Sequence, residues 1–106
     1  MVAAGYFDAD GNSDPAPLFS RNLAAVPRSG STGIYDLVSD AIGPDQHYVV
    51  RGSVVGDLDS PPCTLDVLFN KAGGIAVRIS ALDGQPVARP FMVVVSRFPD
   101  AAPVPF

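Results

Sequence analysis

Residues 34–42 read IYDLVSDAI, and the fold class turns on them. Ile34, Leu37, Val38, Ala41 and Ile42 recur at the spacing of one helical face. Ser31 or Thr32 could cap such a helix, and Gly43-Pro44 would stop it. The same stretch also fits a strand, because Tyr35 and Leu37 alternate with Asp36. A helix this short is marginal in isolation. The spacing alone leaves both readings open.

The rest of the chain leans toward strands. Eleven Pro and ten Gly are scattered through 106 residues, which suits short strands joined by turns. All eleven acidic residues are Asp, and Lys71 is the only lysine. Two good helix formers, Glu and Lys, are therefore almost absent, while strand-favouring Val is plentiful. The length predicts one domain with a modest core.

Segments 2–8, 18–28, 46–57, 63–70, 75–82 and 89–98 read as strands. In 63–70, Leu65, Val67 and Phe69 fall on one face and Asp66 on the other. In 75–82, Ile75, Val77 and Ile79 point in, and Arg78 and Ser80 point out. The segment 18–28 reads as one irregular strand, placed at a sheet edge by Pro27. Gly52 predicts a bend or bulge in 46–57. Residues 29–33 and 71–74 supply turns, and Asp83-Gly84 is a hairpin signal. The run RPFMVVVSRF at 89–98 is apolar on both faces, as expected of a central strand or one covered by another subunit. The expectation is a single antiparallel β-sandwich or jelly-roll-like domain of about seven strands over 1–98.

Residues 99–106, PDAAPVPF, contain three prolines and one charge. Their composition predicts an extended C-terminal arm. Phe98, Pro99, Val104, Pro105 and Phe106 are the expected contacts with a neighbouring chain, since Val104 and Phe106 gain little in water.

Charge narrows the partners. The net charge is −4 and the pI about 4.5, against a nucleic-acid partner, which requires a basic surface. No basic patch suits an anionic membrane, and no apolar run nears the roughly 20 residues of a transmembrane helix. The N-terminus lacks the pattern of a signal peptide, so a soluble, unprocessed chain is expected. Mean hydropathy is +0.24, apolar for a small domain, which fits burial of some surface against other chains.

Catalytic chemistry finds little footing. Cys63 is the only cysteine and His47 the only histidine, excluding an internal disulfide and a multi-histidine metal centre. Cys63 opens the strand CTLDVLF and reads as a small apolar residue rather than a thiol served by His47. His47 reads as an outward polar residue. No nucleophile elbow or phosphate-binding glycine loop occurs. No enzyme activity and no cofactor are expected.

One stretch resembles a calcium loop. In YFDADGNSDP at 6–15, Asp8, Asp10, Asn12 and Asp14 fall on alternate positions. A loop starting at Asp8 would need Gly at 13 and Glu at 19, where Ser13 and Phe19 stand. The glycine is at Gly11 instead, and Pro15 and Pro17 oppose a following helix. The four residues are weak metal candidates, and the stretch reads as a turn.

The segment NLAAVPRSGSTGIYDLVSDAIGPDQHYVVRGS (22–53) resembles the small β-domains of tailed-phage virion proteins. These include capsid decoration or cement proteins and head-fibre and tail-fibre modules. The shared pattern is an Asn-led apolar strand, an Arg and Ser/Gly/Thr turn, a Gly-hydrophobic-Tyr step, and then Tyr followed by two apolar residues. ALDGQPVARPFMVVV (81–95) adds a closing hairpin. The resemblance covers about half the chain and implies a strand at 33–39. It also implies homo-oligomerisation, often trimeric, and a structural role in the virion, assembled in the host cytoplasm, with the major capsid protein or another virion protein as partner. With no stalk, heptad or collagen-like repeat, a decoration or cement protein is expected ahead of a fibre's receptor-binding module. A small carbohydrate-binding β-sandwich is the alternative outside that class, although only three Tyr, six Phe and no Trp are available.

Overall fold

The computed structural model describes residues 2–43, 47–56, 58–69 and 74–98. Eight strands occur: β1 (Ala3–Phe7), β2 (Phe19–Arg21), β3 (Ala24–Pro27), β4 (Ile34–Val38), β5 (His47–Val54), β6 (Cys63–Phe69), β7 (Ile75–Ala81) and β8 (Phe91–Phe98). They form two four-stranded antiparallel sheets, ordered β2-β1-β8-β5 and β3-β4-β7-β6. The fold is an all-β sandwich, with no helix among the described residues.

The ambiguous stretch is strand β4. Tyr35 and Leu37 point inward and are buried, and Asp36 lies between them on the outer side. Long-range pairing decides the matter. β4 lies between β3 and β7, so its backbone groups are satisfied on both sides, which an isolated short helix could not match. Gly33 makes the entry possible. Its φ is +81°, and a Cβ there would lie 2.7 Å from the carbonyl oxygens of Ile79 and Val87.

The run 18–28 is two strands, not one. β2 belongs to the first sheet and β3 to the second, with Asn22 at φ 57° between them. Asn is one of the few side-chain-bearing residues that adopts this left-handed conformation readily. Its Nδ2 donates to the Val2 carbonyl at 3.4 Å. This split raises the strand number to eight. The edge position expected from Pro27 holds, since β3 is the outer strand of its sheet.

Gly52 is not a bulge. The β5–β8 register runs unbroken from His47 opposite Phe98 to Val54 opposite Phe91. Glycine is required by closeness instead: a Cβ would lie 2.8 Å from both the Met92 carbonyl oxygen and Val93 Cγ1.

The hairpin expected over 81–95 is only a tip. Ala81 N–H donates to the Gln85 carbonyl, Gly84 N–H to that of Ala81, and Asp83 Oδ1 accepts from Gln85 N–H. After a bridge from Pro86 to Ser80, the chain crosses to the other sheet, where β8 pairs with β1 and β5. The apolar character of β8 thus marks a central strand, as read. Phe69 shares a face with Leu65 and Val67 but is 59% exposed. It ends an edge strand, where a sandwich this small provides no cover.

The core lies between the inner faces of the sheets. Phe7, Val93 and Val95 meet Val77 and Ile79 from opposite sides. Phe91 joins the two, with ring centroids 5.4 Å from Phe7 and 4.7 Å from Tyr35.

Candidate functional site

The acidic loop after β1 is organised by its own backbone. Asp8 Oδ1 accepts from the N–H groups of Asp10 and Asn12, each at 2.9 Å. Asp8 N–H donates to the Asn12 carbonyl at 2.8 Å. From below, the buried Tyr35 hydroxyl donates to the Ala9 carbonyl. Burial pushes the Tyr35 hydroxyl above its usual pKa range, and nearby Asp10 and Asp8 add to the shift. Asp10, Asn12 and Asp14 are exposed. Among the described residues, no group of three His, Cys, Asp or Glu side chains is placed to hold a metal ion. The spacing of the acidic residues serves an Asx-type turn.

Cys63 and His47 are not brought together. Cys63 packs against the core, with its Sγ 3.6 Å from the Pro61 carbonyl oxygen. It follows the Val54 end of β5, and His47 stands exposed at the other end. An eight-residue strand separates its ends by about 23 Å. Phe98 is the last residue of β8 and is paired with His47. Pro99, Val104, Pro105 and Phe106 lie outside the described residues.

The outer face of the first sheet was only half foreseen. Cross-strand register sets Phe19, Tyr6, Met92 and Ser53 in one row across β2, β1, β8 and β5. The adjacent row is Arg21, Ala4, Val94 and Arg51. Phe19 is 50% exposed, and Met92 and Val94 are each 41% exposed. An antiparallel sheet usually turns polar residues to water, whereas this one turns an apolar band outward. Arg21 and Arg51 flank the band and make no ion pair among the described residues. The apolar outer side of β8 was legible in the sequence. The arginines and Phe19 join it only through the strand order.

The second sheet carries a shallow groove of about 770 Å³. Thr32, Ile34, Thr64 and Leu82 line it, and the ion pair of Arg78 with Asp66 at 3.0 Å crosses its floor. Hydroxyls and a charged pair can hydrogen-bond a polar ligand, but among the described residues the lining provides no aromatic ring for stacking.

Fold and surface together define an all-β sandwich with one apolar outer face. In comparisons with known proteins the chain matches no family model, no curated protein and no solved structure.

Proposed function

We propose that this chain is a non-enzymatic structural protein of a virion, a capsid decoration or cement protein that binds the shell and neighbouring copies through its β-surfaces and its terminal arm. The observation that carries this reading is the apolar band of Tyr6, Phe19, Met92 and Val94 on the outer face of the first sheet. Contiguous exposed apolar surface marks interaction sites. On an acidic chain with two arginines at its rim that make no ion pair among the described residues, the band suits a protein surface rather than a nucleic acid. The resemblance of residues 22–53 to phage virion β-domains supplies the setting.

The experiment is co-sedimentation of the purified protein with capsids of the phage whose genome encodes it, alongside its own sedimentation equilibrium. Self-association and saturable capsid binding are expected, with more than about 1,000 Å² buried per contact. A protein that stays monomeric at high concentration and ignores capsids contradicts the reading. The groove on the second sheet is what a carbohydrate-binding reading would rest on, and a glycan-array titration separates the two.

A further inference from the structure

The four sheet edges are unequal. On one side of the sandwich the edges are β2, three residues long, and β3, four residues long and ending in Pro27. Short edge strands and proline are common protections against further pairing. On the other side the edges are β5, with eight residues, and β6, with seven. Neither contains proline or lysine, and β5 runs without a bulge. Among the described residues, no backbone hydrogen bond leaves β5 on the side away from β8.

Self-pairing is decided by which side chains it sets face to face. In an antiparallel pair, directly opposite residues point to the same face, so a two-fold axis must pass between two copies of the same residue. For β6 the full-length register places Asp66 against Asp66, and like charges directly opposite are destabilising. For β5 two long registers exist. One passes through Arg51 and sets it against itself. The other is centred on Val50 and sets no like charges opposite each other. It sets His47 opposite Ser53, Tyr48 opposite Gly52, and Val49 opposite Arg51. Val50 and Gly52 share the inner face through their partners Val95 and Val93, so this register sets Val50 against Val50 on that face.

We propose that β5 pairs antiparallel with β5 of a second copy about a two-fold axis between the two Val50 residues, joining the two first sheets into one of eight strands. The pairing does not depend on the virion reading, and its unit is a two-fold dimer rather than the trimer the resemblance suggests. The apolar outer face stays open on both copies.

Disulfide trapping tests the register. Val49→Cys and Arg51→Cys are each made with Cys63→Ser, then mixed and oxidised. Directly opposite Cβ atoms lie about 4.5–5.5 Å apart, close enough for a disulfide after small adjustment. The mixture is expected to give a covalent dimer in preference to either variant alone. Efficient cross-linking of Arg51→Cys alone, without the mixed product, would overturn the register. A second variant, Val49→Lys, points outward and opposes Arg51 of the second copy. It is expected to keep the parent's circular dichroism spectrum and a cooperative melt, and to sediment as a monomer where the parent is a dimer. A parent protein that is monomeric at high micromolar concentration, or a Val49→Lys variant that dimerises unchanged, overturns the proposal. Neither result depends on capsid binding.

Discussion

At the scale of single residues, Tyr35 and Asp8 hold the acidic loop in place. Tyr35 is buried in the core, and its hydroxyl reaches the Ala9 carbonyl. Tyr35→Phe leaves the packing but removes this bond, so denaturant unfolding should show a loss of about 1 kcal/mol. The raised pKa of Tyr35 also fixes a pH dependence. The unfolded chain releases this proton near pH 10, while the folded chain keeps it. The contribution is complete below that pH and is lost as pH rises through the folded value. Alkaline titration of stability should therefore fall less steeply above about pH 10 in Tyr35→Phe than in the parent. Asp8 is a different case, because its carboxylate accepts two backbone N–H groups at the surface. Asp8→Ala should cost about 1 kcal/mol and Asp8→Asn less, since Asn keeps one acceptor oxygen. An Asp8→Ala protein as stable as the parent would show that water replaces the carboxylate without loss.

At the scale of elements, β4 and the β2–β3 bend show what periodicity can and cannot convey. IYDLVSDAI carries a helical spacing because Leu37, Val38, Ala41 and Ile42 happen to fall in step. Only β3 and β7, distant in sequence or across a turn, force Tyr35 and Leu37 into alternation. Strands β5, β6, β7 and β8 were legible because their alternation or β-branched content is strong. The split of 18–28 was not legible, because one residue, Asn22, moves the chain between sheets without a turn cluster to announce it. Of the candidate site, the apolar outer side of β8 could be read from PFMVVV. The row containing Arg21 and Arg51 could not, since strand order is a non-local property. The bend yields its own test. Asn22→Gly should be nearly neutral, and Asn22→Val should cost about 1–2 kcal/mol, because a β-branched residue at φ 57° is strained. Equal melting temperatures for the two variants would deny the bend its left-handed residue. Amide exchange should be slowest in β7 and β8, which are central and buried, and faster in β2.

At the scale of the whole molecule, the sandwich is closed on one side and open on the other. One outer face is apolar where water would favour polar side chains. These two asymmetries make an associating protein the natural reading: the β5 edge for a second copy, the Met92 and Val94 face for a larger partner. Substituting both outer-face residues, Met92→Ser with Val94→Ser, leaves the inner residues Phe91, Val93 and Val95 untouched. The most direct measurement is capsid co-sedimentation of the parent and this double variant, with thermal melting run on both. The account predicts saturable binding by the parent and loss of binding by a variant that still folds. Equal binding by both proteins, or none by the parent, would contradict it.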